Sequence, residues 1–272
     1  MEGGVSMTEA VAFDLDDTLL RDDRSISDFT VQVMKNLALH GVTILPASGR
    51  ASESMAHYIE RLDCCDCYIA CNGAEVRRRD GSILMQVNLP LDIVLEIVQF
   101  GMEYGVYTQT YDGGSFFYNR HSHWAEEYAA STLLNGVYTP DLLPFVQLHP
   151  TCKILMMDAP DKISHMRAAA AERFGERVSI TTSKPSFLEI NPSGTSKGNA
   201  LAFCADLLGF HLHKTIAFGD SLNDISMLTA AGTGVAVGNA WNEVKAVADA
   251  VCMSNEDDGV AQYLVHHFSN YF

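Results

Sequence analysis

Val11-Ala12-Phe13-Asp14-Leu15-Asp16-Asp17-Thr18 decides how the rest of the chain is read. Residues 11–15 read as a buried strand, and three carboxylates follow within four residues, at Asp14, Asp16 and Asp17. At the C-terminal end of a parallel strand such a cluster repels itself unless a cation is present. That end is also where open α/β sheets bind ligands. A hard divalent ion such as Mg²⁺ takes one or two carboxylates together with water and phosphate oxygens. Asp14 and Asp16 stand two residues apart in an extended run and point the same way, so one is placed to attack while the other handles protons. The plain alternative is a solvated acidic turn.

Working outward, apolar runs alternate with helical patterns. A helix is expected over 27–40, stopped by Gly41, then a strand over 42–47, a helix over 52–62 and a strand over 68–71. This alternation predicts a parallel sheet with helices on its faces. It returns late in the chain, with helices expected over 197–208, 222–230, 241–247 and 259–268 and strands over 215–218 and 234–237. The middle has a different rhythm. Asp80-Gly81 and Asp112-Gly113-Gly114 are hairpin signals, and helices are expected from Pro90 to about Tyr104 and over 160–174. Strands are expected over 153–157, 178–182 and 187–190. The prediction is a doubly wound α/β core made of residues 1–83 and 190–272, interrupted by an α+β cap over 84–189.

Three further segments carry chemistry. Gly219-Asp220-Ser221-Leu222-Asn223-Asp224 follows a strand and opens a helix, with Asp220 and Asp224 one turn apart on the same side. Helix capping is the bland reading. Ser48-Gly49-Arg50 also ends a strand, where a hydroxyl and a glycine amide suit a phosphate oxygen at a helix N-terminus. Arg50 is either a ligand contact or the partner of a structural carboxylate. Gly194-Thr195-Ser196-Lys197-Gly198 puts a cation in the first helical turn, where it opposes the macrodipole; that placement argues for a functional role. The segment is not a P-loop, and the glycines between 232 and 238 do not have dinucleotide-fingerprint spacing.

Composition constrains the partners. Eighteen Lys+Arg against 34 Asp+Glu give a net charge of −16, which argues against nucleic-acid and anionic membrane surfaces. An anionic substrate then needs a metal or a few placed cations. No run approaches the roughly 18 apolar residues of a membrane span. Residues 1–10 lack the basic and apolar regions of a secretory signal, Met7 is an alternative start, and residues 1–6 are expected to be a tail. Seven cysteines include the crowded Cys64, Cys65, Cys67 and Cys71. No second pair accompanies the C-x-x-C spacing, so reduced thiols of a cytoplasmic protein are expected rather than zinc.

Taken together, Asp14–Thr18, Ser48, Lys197 and the 219–224 segment resemble the four motifs of the haloacid dehalogenase-like (HAD) superfamily of phosphohydrolases. The inserted segment resembles the C2-type cap of the Cof-type subfamily, as do Asn72-Gly73-Ala74, Gly238-Asn239-Ala240 and Asp258-Gly259-Val260-Ala261. Asp17 departs from the pattern, since the family more often has Gly there. The resemblance implies a Rossmann-like core and a Mg²⁺-dependent phosphatase of small phosphorylated metabolites, such as sugar phosphates. It implies Asp14 as the nucleophile that becomes an aspartyl-phosphate, and Asp16 as the general acid and base. It further implies Mg²⁺ on Asp14, the Asp16 carbonyl, Asp220 and Asp224. Leu15, Ser48, Gly49, Arg50, Lys197 and Asn223 would surround the substrate and its phosphate. A phosphomutase or phosphotransferase on the same core is the near alternative, and a receiver-like phospho-acceptor the distant one. The cap residues Arg120, His121, His123, Trp124, Tyr111 and Glu189 are candidates for substrate selection, each with an ordinary packing role as the alternative.

Overall fold

The computed structural model describes residues 9–272; the tail expected at 1–6 and Met7 lie outside the described residues. The first strand, β1 (Ala10–Phe13), consists of four fully buried residues. Burial on both faces is what a central parallel strand requires. It is followed by α1 (Asp28–Leu39), β2 (Thr43–Pro46), α2 (Ser52–Leu62) and β3 (Cys67–Ala70). Ser27 caps α1 by accepting the Thr30 N–H at 3.0 Å. The hairpin β4 (Glu75–Arg78) and β5 (Ile83–Gln86) comes next.

The middle of the chain holds α3 (Leu91–Glu103), β6 (Tyr107–Asp112), β7 (Ser115–Tyr118), α4 (His123–Thr132), β8 (Asn135–Tyr138) and α5 (Leu142–Leu148). It continues with β9 (Ile154–Met157), α6 (Pro160–Phe174), β10 (Val178–Thr181) and β11 (Phe187–Pro192). The last stretch is α7 (Lys197–Leu208), β12 (Thr215–Gly219), α8 (Ile225–Ala230), β13 (Thr233–Ala236), α9 (Asn242–Val247), β14 (Ala250–Val251) and α10 (Gly259–His267).

Two larger sheets result. One is parallel throughout, in the order β14-β13-β12-β1-β2. A parallel bridge between Ala47 and Ile69 carries it on to β3, which pairs antiparallel with β4, as β4 does with β5. The other sheet has the order β10-β11-β9-β6-β7-β8 and is antiparallel except where β7 meets β8. Within the parallel sheet the chain runs outward one way from β1 and the other way from β12. The switch point therefore lies between these two neighbours, and the crevice beyond their C-terminal ends is the place for a ligand.

Two local conformations shape that crevice. The expected strand over 11–15 ends at Phe13, and residues 15–19 coil into a wide turn with Asp17 at φ +56°. This left-handed geometry favours glycine and tolerates a short polar side chain, so Asp17 keeps the turn. Gly73, at φ +90°, packs so closely on the start of α7 that a Cβ there would lie 2.1 Å from the Ser196 carbonyl oxygen. Only glycine fits. No helix among the described residues is long and apolar enough to cross a membrane.

Candidate functional site

The carboxylates expected from the first motif separate into two groups. Asp14 follows β1 and accepts from Lys197 Nζ at 2.6 Å; the same ammonium reaches Asp224 Oδ1 at 2.5 Å. Lys197 is fully buried, and Ser196 caps its helix by accepting the Asn199 N–H at 3.1 Å. The cost of an ammonium in the first turn of α7 is offset by these two carboxylates. Asp224 is itself fixed by its second oxygen, which accepts the N–H groups of Asp220 and Ser221, each at 3.0 Å. Thr18 donates to Asp220 at 3.0 Å, tying the end of the first turn to the end of β12.

Asp14, Asp220 and Asp224 each place a carboxylate oxygen within 4.8 Å of the other two. Burial, opposed by Lys197, pushes the Asp14 carboxyl up to about 8. Burial and the neighbouring carboxylates push Asp220 well above the usual range. Crowded, buried, oxygen-only and short of positive charge, this donor set fits a hard divalent cation such as Mg²⁺.

Asp16 stands apart. Its carboxylate takes a bidentate pair of bonds from Arg50, Nε to Oδ2 and Nη2 to Oδ1, both at 2.7 Å. Burial works against its charge, but these two bonds outweigh it and hold the carboxyl below its usual range. Arg50 also donates through Nη1 to the Ser131 carbonyl at the end of α4, at 2.9 Å. The alternative of a carboxylate partner for Arg50 is thus what the structure has, and the partner is Asp16.

Ser48, just past β2, accepts the Arg50 N–H at 3.2 Å. Asn223 accepts from the Ser221 hydroxyl at 2.7 Å and donates to Asn72 at 3.0 Å. Leu15 has its side chain in the parallel-sheet core, so only its main chain is available to a ligand.

Asp14, Asp16, Ser48, Gly49, Arg50, Asp220 and Asn223 line one cleft of about 610 Å³. Lys197 sits behind it, reaching it through Asp14. Its other wall comes from the mixed sheet and the segments around it, and includes residues that no motif announced: Tyr128 of α4, Lys153 just before β9, Ser183 and Lys184 between β10 and β11, and Phe187 of β11. Lys153 is 2% exposed, donates to the Gly49 carbonyl at 2.7 Å and pairs with Glu189 at 3.4 Å. Glu189 also accepts from Ser183 at 2.7 Å and from Asn72. A lysine opening an otherwise wholly apolar strand, Lys153-Ile154-Leu155-Met156-Met157, was the available signal.

Of the cap candidates, Glu189 stands in the cleft. Tyr111 shares a hydroxyl hydrogen bond with the cleft residue Tyr128. Arg120 donates to the Gly105 carbonyl, His121 stacks on Tyr138 and His123 lies against Trp124; none of these four lines the cleft.

The cleft at the switch point of a doubly wound α/β sheet, with Asp14, a buried lysine and two further carboxylates gathered at it, is the arrangement to compare with known enzymes. The chain belongs to the haloacid dehalogenase-like hydrolase family, whose pattern matches residues 11–264. A phosphatase-named protein of Haemophilus influenzae is 30% identical over 265 residues, spanning 96% of this chain and 99% of the relative. The 5-amino-6-(5-phospho-D-ribitylamino)uracil phosphatase of Bacillus subtilis is 30% identical over 266 residues, spanning 95% and 97%. A haloacid dehalogenase-like hydrolase from Bacteroides thetaiotaomicron superposes with a TM-score of 0.85 at 26% identity, covering 96% of this chain and 99% of that one.

Proposed function

We propose that the protein is a Mg²⁺-dependent phosphatase of small phosphorylated metabolites, sugar phosphates among them, working through a phosphorylated Asp14. The observation that carries this reading is the Asp14–Lys197–Asp224 chain of contacts at the switch point, opposite Asp16 held by Arg50. We also propose residues 1–83 and 190–272 as the catalytic core and 84–189 as the cap. The cleft wall drawn from the mixed sheet supports a substrate-selecting role for that segment.

In this scheme an Asp14 carboxylate oxygen attacks phosphorus in line, and the bond from phosphorus to the leaving oxygen breaks. Once the Arg50 pair loosens, Asp16 takes up a proton from solvent and gives it to the departing alcohol; it later takes one from the water that hydrolyses the acyl phosphate. Arg50 keeps the Asp16 carboxylate in one orientation until substrate arrives; the proton transfer requires that pair to loosen. Ser48, the Gly49 amide and Asn223 surround the phosphoryl oxygens, with the main chain at Leu15. Lys197 keeps Asp14 from recoiling from the incoming anion. When bound on Asp14, the Asp16 carbonyl, Asp220 and Asp224, Mg²⁺ supplies charge neutralisation for the transferring group.

The deciding experiment measures inorganic phosphate release across a panel of phosphorylated sugars, nucleotides and cofactors, with and without Mg²⁺. Release that needs Mg²⁺ and disappears in Asp14→Asn is expected; full turnover without divalent metal, or in that variant, rejects the scheme. Transfer of the phosphoryl group to a second hydroxyl, without net release, would assign a phosphotransferase instead.

A further inference from the structure

Cys71, Glu75 and Cys152 take no part in the site described above. Yet each presents a ligand atom within 4.8 Å of those of the other two, and all three are buried. They arrive from separate places: Cys71 from the tight turn after β3, Glu75 from the start of β4 and Cys152 from the loop before β9. All three line one partly open pocket, distinct from the catalytic cleft. In the sequence the C-x-x-C spacing of Cys64 and Cys67 has no second pair, and reduced thiols are the expectation there. The structure instead joins two cysteines 81 positions apart, a pairing without a local signature.

Glu75 is committed through one oxygen only. Its Oε1 takes the Ser52 hydroxyl at 3.4 Å and Arg77 Nε, while Oε2 has no hydrogen bond among the described residues. Two thiols and a free carboxylate oxygen form a donor set for a borderline-soft ion, Zn²⁺ above all. Tetrahedral zinc with Zn–S bonds of about 2.3 Å sets two sulfurs about 3.8 Å apart. That spacing falls inside the 4.8 Å within which the three ligand atoms lie.

The charges also match. Two thiolates and a carboxylate around a divalent ion leave one negative charge, and the Arg77 guanidinium already rests on Glu75 to offset it. All seven cysteines are free thiols, so neither sulfur is consumed in a disulfide.

We propose that Cys71 Sγ, Cys152 Sγ and Glu75 Oε2 form a zinc site with its fourth position open to a water from the pocket. As each sulfur binds, its thiol proton is released to solvent, so affinity rises with pH. The residues that follow the two cysteine ligands explain what the ion would do. Asn72 holds Asn223, and Lys153 holds the Gly49 carbonyl. Zinc would thereby brace both halves of the phosphate-binding wall from behind. This inference stands apart from the proposed phosphatase reaction and survives if that reading fails.

Co²⁺ titration of the reduced, metal-free full chain tests it. Thiolate-to-cobalt charge transfer absorbs in the near ultraviolet, and oxygen ligands at the acidic cradle do not produce it. The expected result is a band that saturates at one equivalent and is bleached by Zn²⁺. It should fall at least tenfold in Cys152→Ser and persist in Asp220→Asn and Cys64→Ser. Absence of the band in the unaltered protein overturns the proposal, as does full retention in Cys152→Ser. Should Cys152→Ser fail to fold, X-ray absorption of the unaltered protein loaded with one equivalent of Zn²⁺ decides. Two sulfur neighbours at about 2.3 Å support the site, and an oxygen-only shell refutes it.

Discussion

The parallel sheet and the mixed sheet both supply polar groups to the same cleft, but they do so from different parts of their strands. The parallel sheet is apolar past the threonines that open β2, β12 and β13, and delivers chemistry where strands end: Asp14 after β1, Ser48 after β2, Asp220 after β12. The mixed sheet delivers it from its face, through single residues that alternate with core positions. Glu189 of β11, which lines the cleft, lies between Leu188 and Ile190, both fully buried in an apolar cluster. Strand ends free the backbone to turn and bring several groups onto one atom. A strand face fixes one side chain at a time and suits bracing and selection. The difference predicts that changes at parallel strand ends cost turnover, whereas changes on the mixed-sheet face cost stability and substrate fit.

The sharpest division is expected at Asp14. Asp14→Asn should lower kcat by about a thousandfold or more while leaving far-UV circular dichroism unchanged. A variant that keeps a tenth of the activity would break the contrast at its strongest point. Lys197→Met comes next. It removes the cation between two buried carboxylates, so urea denaturation should report a loss of about 3–5 kcal/mol along with the loss of turnover. Unchanged stability would show that the pair contributes nothing to the fold.

Glu189→Gln tests the other wall. It takes the negative charge away from the buried Lys153 ammonium, which keeps the Gly49 carbonyl and the Tyr111 ring, and a cost of about 1–3 kcal/mol in denaturation is expected, with KM moving more than kcat. A kcat loss as large as that of Asp14→Asn would erase the distinction between the sheets. Ser27→Ala, at the cap of α1 and far from either wall, sets the baseline. It should cost about 1 kcal/mol in the same assay and leave kinetics unaltered.

The same contrast explains what could be read from the sequence. Motifs at strand ends are contiguous, so Asp14–Thr18, Ser48–Arg50 and Gly219–Asp224 were legible together with the helix–strand rhythm that positions them. Lys197 was legible through its awkward place at a helix start. Asp17 at φ +56° accounts for the one departure from the family pattern. The mixed-sheet wall was not legible in this way, because Lys153 meets Gly49 across 104 positions and Glu189 meets Asn72 across 117.

Nor were β8 and α5. β8 is a partly exposed edge strand whose Gly136 lies against Phe116, where a Cβ would come within 2.6 Å of the ring. Its glycine looks like a turn and is in fact a close packing contact. Helix α5 spans seven residues and contains Pro144, which hides its period.

The most direct measurement is mass spectrometry of the protein quenched during turnover of a phosphorylated metabolite with Mg²⁺. A phosphoryl group on the peptide carrying Asp14, absent in Asp14→Asn, is the predicted result. Steady turnover with Asp14 unmodified and the phosphoryl group on another residue would contradict the assignment of Asp14 as the nucleophile.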